Sequence, residues 1–377
     1  MNNPFMYGKP VEGEFYYELP YLKKELQAFI NSKINVLVMG PRRSGKTSFL
    51  KSFLKEQKLK NKIVIDVDAF NVLSHKDFLN QLIHAIKKEK TTSQKFFEWL
   101  RGVKSLAPIF KWEVNPHSGE SEYSLNFSKL EESDTKQAIL NALSGLNEFQ
   151  NKKQLVISID EFQRIGELED NGWLEATLRS KMQEFPEIVF IFTGSRRSLL
   201  NDMFNNSKRP FYKSCKQINF PRFGHEFSNW ITERFKKANI QSSLESIDYL
   251  RYQVADTPNY VQEACFHLVS HGVKKVSNIE IDEILEIISS QGSYSYEALL
   301  NTLTSVQVKF LRLFIGESKV DYSKEVLSKY EIKTGSSLQA ASKALIEKQI
   351  IEKTPDGGFN FDDPMFKIWL NKKLILR

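Results

Sequence analysis

A chain of 377 residues exceeds one ordinary domain and is expected to form two or three, each burying its own core. With 41% hydrophobic and 26% charged residues the composition is that of a globular protein, and no apolar run approaches the roughly 18 residues of a membrane span. The formal charge of +7 and a pI near 9.0 favour polyanionic partners, although a lysine excess also serves solubility.

The opening stretch, MNNPFMYGKPVEGEF, has neither a charged leader nor an apolar core, so no secretory signal is expected. Cys215 and Cys265 stand far apart and without metal-ligand spacing, which fits a reducing, cytoplasmic compartment. The first strand-like run, INVLVM (34–39), is short, rich in β-branched residues and bounded by Gly40 and Pro41, as in a buried strand of a parallel sheet. KIVIDVD (62–68), QLVISID (154–160) and IVFIFTG (188–194) look alike, and KQINF (216–220) is a weaker fifth. Amphipathic stretches such as HKDFLNQLIHAIKKEK lie between them, so an α/β layered core with crossover connections is expected. The polar region 91–133 carries Asn-Pro and Ser-Gly steps between alternating residues, read as a hairpin inserted at about 105–130. Residues 223–292 read as a helical bundle and SSQGSYS (289–295) as a linker. The final stretch offers TSVQVKFLRLFIG, SKEVLSKYEI and SSLQAASKALIEKQIIEK as helices, then a turn at TPDGG and the strand-like FNFDD. That is the plan of a winged helix.

Gly40 to Thr47 matches G-x-x-x-x-G-K-[ST], after a strand and before the helix TSFLKSFLKEQ, where its mechanism needs it. Gly40 and Gly45 let the backbone turn so that the amides of Arg42, Arg43, Ser44 and Ser48 can point at phosphate oxygens, with Pro41, which has no N–H, shaping the loop. Lys46 would neutralise the β- and γ-phosphates and the Thr47 hydroxyl would ligate Mg2+, with the helix dipole adding to both. A second metal partner is expected at the end of a neighbouring strand, and LVISIDEF supplies Asp160 for Mg2+ and Glu161 for the attacking water. The same acids could instead cap the following helix.

GPRRSGKTSFL, LVISIDEFQRI, IFTGSRRSLL and SKRPFY, in that order, resemble the archaeal-type ATPases of the STAND branch, among the AAA+ relatives of P-loop NTPases. The resemblance spans nearly the whole chain. It implies a sheet ordered 5-1-4-3-2, a helical lid, a C-terminal winged helix, ATP as nucleotide and hydrolysis rather than transfer. The family usually opens with an aromatic-x-x-Arg-Glu signature near the adenine, whereas this chain reads GEFYYELPYLKKEL, without arginine. The lid segment ADTPNYVQEA is proline-centred, and Pro258 is expected to help close the lid over the base.

By position, Thr193 or Ser195 would orient the lytic water, or else serve as locally bonded turn hydroxyls. Arg196 and Arg197 are expected to face solvent. Arg209, just before the fifth strand, would face a neighbouring subunit's nucleotide in a homo-oligomer, or be an ordinary surface arginine. Glu263, His267 and His271 could share a helix face, but a metal site would need a compact ligand shell and a solvated face is expected. Trp112, Tyr123 and Phe127 of the hairpin would stack on bases or, more ordinarily, pack on the core. Residues 298–377 hold 13 Lys or Arg against 9 Asp or Glu, a net +4. Ser336, Ser337, Gln339 and Lys343 open the candidate recognition helix, with duplex DNA or a protein as partner. The expectation is a P-loop ATPase core (1–222), a helical lid (223–292) and a winged helix (298–377), working as an ATP-driven switch or motor with Mg2+. The alternative is a regulatory module that holds ATP with little or no hydrolysis and binds a protein partner.

Overall fold

The computed structural model describes residues 3–89, 110–114, 121–125, 130–148, 153–317, 320–354 and 357–375. They fall into two compact units, one of Glu18–Pro41 and Gly45–Pro221, the other of Met1–Tyr17, Arg42–Ser44 and Arg222–Arg377.

The first unit runs α1 (Pro20–Asn31), β1 (Val36–Met39), α2 (Lys46–Leu59), β2 (Ile63–Asp68), α3 (His75–Lys88), β3 (Phe110–Val114), β4 (Ser121–Leu125), α4 (Glu132–Glu148), β5 (Leu155–Asp160), α5 (Trp173–Glu184), β6 (Val189–Gly194), α6 (Arg197–Asn205) and β7 (Lys216–Asn219). Its sheet is ordered β2-β5-β6-β1-β7 with every pairing parallel, which is the 5-1-4-3-2 order implied by the resemblance. Each residue of β1, β5 and β6 is buried, the condition of strands covered by helices on both faces, and this is why those runs read as mostly apolar, with polar residues only at Ser158 and at the carboxyl ends. Ligands in such sheets bind beyond the carboxyl ends of the strands. Register sets that edge here: Asp68 lies beside Asp160, Ile159 beside Phe192, and Met39 beside Gly194.

Behind the edge Phe162 is fully buried, its ring centre 4.3 Å from that of Phe192 and 5.1 Å from that of Phe211. This aromatic packing pins the chain immediately after the Asp160–Glu161 pair. β3 and β4 pair antiparallel with Trp112 opposite Tyr123, in the stretch read as a hairpin. The side chains of Trp112 and Tyr123, and Phe127 altogether, lie outside the described residues.

The second unit contains α7 (His225–Lys237), α8 (Leu244–Gln253), α9 (Pro258–Ser270), α10 (Asn278–Gln291), α11 (Ser293–Asn301), α12 (Ser305–Gly316), α13 (Lys324–Lys329), α14 (Gly335–Glu347), β8 (Ile351–Lys353), β9 (Phe359–Phe361) and α15 (Pro364–Ile375). The N-terminal stretch packs on this bundle: Phe5 meets Phe235 at 4.9 Å between ring centres, and Gln262 donates to the Phe15 carbonyl at 3.2 Å. Phe310, Leu338, Leu345, Phe361, Phe366 and Leu370 form the winged-helix core, with Tyr296 and Leu299 of α11 packed against it.

Here the sequence reading needs three corrections. The stretch 289–295 is not a linker: α10 and α11 meet at Gly292, whose helical backbone continues and whose missing Cβ makes room for the Tyr296 ring, 2.5 Å from where it would lie. The helix read over 336–353 stops at Glu347, because Gln349 turns left-handed at φ 57° and the buried Ile350 and Ile351 lead into the first wing strand. A further helix, α15, follows the wing. Asp363 caps it by accepting the Met365 amide at 2.9 Å, and Pro364 takes the first position, where its missing N–H costs nothing.

Candidate active site

The phosphate-loop motif lies where β1 ends and α2 begins. Gly45 caps α2 in the left-handed region at φ 92°, a conformation that a side chain would strain, and Gly40 N donates to Gly194 O of β6 at 3.3 Å. Lys46 is 5% exposed, and its ammonium donates to the carbonyls of Gly40 and Pro41 at 2.7 and 2.6 Å, so the loop wraps its own lysine. One residue on, Thr47 Oγ1 donates to Asp160 Oδ2 at 2.9 Å.

Asp160 is 9% exposed and fully engaged. Thr193 Oγ1 donates to its Oδ1, and the Glu161 amide reaches the same oxygen at 3.0 Å. The sequence reading set Thr193 or Ser195 between the loop and Asp160; Thr193 bonds Asp160 itself, and Ser195 bonds Glu161 Oε2 at 3.0 Å. Glu161 is left-handed at φ 53°, an uncommon backbone for a residue with a Cβ, held by the buried Phe162 that follows. Its carboxylate also accepts from Gln163 Nε2. Lys46, Thr47, Asp160, Glu161 and Thr193 thus form one constellation on the carboxyl edge of the sheet.

Sequence reasoning overlooked Gln163 although it stands two residues from Glu161, because an amide carries no motif signature. It also overlooked the partner of Arg209. Arg209 Nη2 donates to Glu175 Oε1 at 2.5 Å, and the Glu175 side chain is only 2% exposed. Burial pushes the Glu175 carboxyl up to about 7 despite the guanidinium beside it. Asp202 lies 3.6 Å from Arg209 Nε, and neither acid belongs to the constellation above. Arg196 pairs with Glu167, which also accepts from Arg164 at 3.1 Å.

In the second unit the Arg43 guanidinium donates to the Tyr260 hydroxyl, lies 4.8 Å from that ring's centre and sits 3.6 Å from Asp363 Oδ2. Tyr260 and Tyr296 donate to the two oxygens of Asp363 at 2.7 and 3.2 Å. Pro258 is the first residue of α9. Of the residues weighed as a metal set, His267 Nε2 lies 3.3 Å from the Tyr7 hydroxyl and His271 Nδ1 lies 2.8 Å from the His267 carbonyl. Among the described residues no group of His, Cys, Asp and Glu is disposed to hold a metal, and no helix is long and apolar enough to cross a membrane. Burial pushes the Cys215 thiol up to about 12, which removes it as a nucleophile near neutrality.

Fold and site together define a P-loop ATPase with an AAA+-like sheet, a helical region and a winged helix. The family described as "ATPase domain predominantly from Archaea" matches residues 18–263, more than half of the chain, and the chain belongs to it. Residues 294–372 match the family described as "Probable winged helix domain". No curated protein matches the chain. Among solved structures it is similar to a Walker-type ATPase of Pyrococcus abyssi, at 16% identity over 95% of this chain and 97% of that one, with a TM-score of 0.64. It is also similar to the ORC2 protein of Aeropyrum pernix in its ADPNP–ADP complexes, at 15% identity over 95% and 92%, with a TM-score of 0.54. At such identities these likenesses speak for the fold alone.

Proposed function

We propose that this chain is a Mg2+-dependent ATPase of the STAND type, in which hydrolysis at the carboxyl edge of the sheet drives a switch read out by the winged helix. The observation that carries it is the meeting of Thr47 Oγ1 and Asp160 Oδ2 at 2.9 Å with Glu161 next in the chain. A hydroxyl and a carboxylate, both oxygen donors at the start of a helix and the end of a strand, suit Mg2+ in a nucleotide site. Mg2+ bound there would neutralise charge that develops on the phosphate oxygens.

The chain's own residues would do the rest. Lys46 exchanges the Gly40 and Pro41 carbonyls for phosphate oxygens, keeping its charge paired throughout. The amides at the start of α2 point at the same anion. Thr193 and the Glu161 amide hold Asp160 in one orientation, so Thr47 and Asp160 stay together when the nucleotide enters. Glu161 takes a proton from the attacking water. Pro258 fixes the first turn of α9, the lid helix expected to close over the base.

For the output we favour duplex DNA, on the chain's net basic winged helix and the exposure of Ser336, Gln339 and Lys343 on one side of α14. A homo-oligomer completed by Arg209 is the costlier part of the reading. Withdrawing that guanidinium would strand a buried Glu175 carboxylate at a cost of about 3–5 kcal/mol. Steady-state phosphate release, measured with and without duplex DNA beside an ATP titration, tests the whole. Turnover that depends on Glu161 supports it; tight ATP binding without turnover favours the holding module instead.

A further inference from the structure

Gln163 lies in the 3-10 turn Phe162–Glu167 and is 2% exposed, deep burial for an amide. Its Nε2 donates to Glu161 Oε2, and Ser195 Oγ donates to the same oxygen at 3.0 Å from beyond the end of β6. Two donors from two elements, converging on one carboxylate oxygen, fix both the reach and the roll of a side chain that otherwise has several rotatable bonds. Glu161 Oε1 accepts no hydrogen bond among the described residues.

The seat of Gln163 is equally specific. A Cβ on Gly194 would lie 2.1 Å from Gln163 Oε1 and 2.8 Å from Leu200 Cδ1. Gly194 does not have the left-handed backbone that favours glycine, so what it supplies is space for this amide. Gln163 Oε1 itself is buried without a hydrogen-bond partner. An unpaired buried carbonyl costs about 1–3 kcal/mol, which a leucine or methionine of similar volume would avoid. An amide retained at that cost points to the work of its other end, the donor on Glu161.

On the hydrolytic reading of Glu161, we propose that Gln163, seated against Gly194 and seconded by Ser195, is a positioning residue that anchors one oxygen of the Glu161 carboxylate. The other oxygen is then left to take the proton of the attacking water. On this reading Gln163 acts on the reaction through Glu161, the residue its amide nitrogen bonds. Anchoring of this kind affects turnover and leaves nucleotide binding as it was, since Lys46 and Thr47 do not depend on it.

The test is steady-state phosphate release with ATP titration and thermal melting on the full chain. Wild type and E161Q come first: a wild type without turnover, or E161Q at the wild-type rate, overturns the hydrolytic reading itself before any Gln163 variant is compared. Given Glu161-dependent turnover, Q163M should lower kcat roughly ten- to a hundredfold with KM and ATP affinity unchanged, a part of the roughly 10²–10⁴ that a positioned base contributes. S195A should lower it less, and S195T should restore it. G194A should reproduce the Q163M loss by expelling the amide, and G194A/Q163A should turn over no more slowly than Q163A, because the collision has been removed. Wild-type kcat in Q163M and G194A overturns the proposal, as does a loss of ATP affinity in step with kcat. Should Q163M fail to fold, the Ser195 pair decides: S195A at the wild-type rate, or S195T no better than S195A, overturns it.

Discussion

The polar side chains at the carboxyl edge of the core sheet bond to one another across several elements, whereas those on the exposed side of α14 bond, where they bond at all, only to the cap of their own helix. Asp160 is held by Thr47, Thr193 and the Glu161 amide, and Glu161 in turn by Ser195 and Gln163. On α14, Ser336 bonds only its neighbour Thr334, at 3.0 Å, and Lys343 makes no side-chain hydrogen bond or ion pair among the described residues. A site that has its geometry built in restricts which residues can stand at each position. A face whose partner comes from outside takes its geometry from that partner, and many residues serve.

The comparison breaks most sharply at the core. K46A should abolish ATP binding in a titration, because it removes the charge that the loop is folded around. E161Q should keep wild-type affinity and lose about 10²–10⁴ in phosphate release, since Thr47 and Asp160 remain paired without the base. ATP affinity in K46A equal to that of wild type would remove the constellation from nucleotide chemistry altogether.

A second built pair, Glu175 with Arg209, sharpens the point because its consequence is stability. R209A should destabilise the chain by about 3 kcal/mol above pH 7, read by chemical denaturation, as it leaves a carboxylate 2% exposed without its partner. The pH dependence has a definite sign. Glu175 titrates near 7 when folded against 4.5 when free, so the folded state holds the extra proton between those values. Stability from this group is therefore full below about pH 4.5, falls as pH rises toward 7, and is level above that, by up to about 3 kcal/mol in all. E175Q should flatten that part of the profile. An arginine that serves a neighbouring subunit would show the reverse pattern: R209A with wild-type stability, slowed hydrolysis, and wild-type turnover per subunit that falls on dilution.

Much of the core was legible in the sequence for the same reason. Strands buried on both faces are apolar along most of their length, and the run before Asp160, broken only by Ser158, and the run before Gly40 announce themselves that way. Lys46, Thr47, Asp160 and Glu161 could be picked out because phosphate and Mg2+ chemistry dictates residue type and spacing. Gln163 could not, since an amide gripping a carboxylate looks like any buried glutamine until the fold brings Gly194 alongside. The linker expected at 289–295 failed on a similar ground: serine and glycine composition reads as loop, but the space beside Gly292 is filled by Tyr296, three dimensions away from anything composition reports. The helix α15 had a sequence signal in Asp363-Pro364, a cap followed by a first-turn proline, hidden by the strand-like residues before it.

The smallest effect concerns the open face. If α14 meets duplex DNA, its share of the binding is electrostatic and comes largely from phosphate contacts, so affinity should fall steeply and linearly on a log–log plot against salt. Lys343 is the one basic residue of α14, and its charge is not committed to an ion pair among the described residues. K343A should therefore reduce the slope by about 0.9, the counterion released per phosphate contact, and weaken binding a few-fold at fixed salt across unrelated sequences. Phosphate release in the absence of DNA should be unchanged, because Lys343 has no part in the constellation around Asp160. Fluorescence anisotropy with a labelled duplex at several salt concentrations measures all of this. Binding absent at low salt, or a slope unmoved by K343A, takes DNA off α14 and leaves a protein as the partner that this face was kept open to meet.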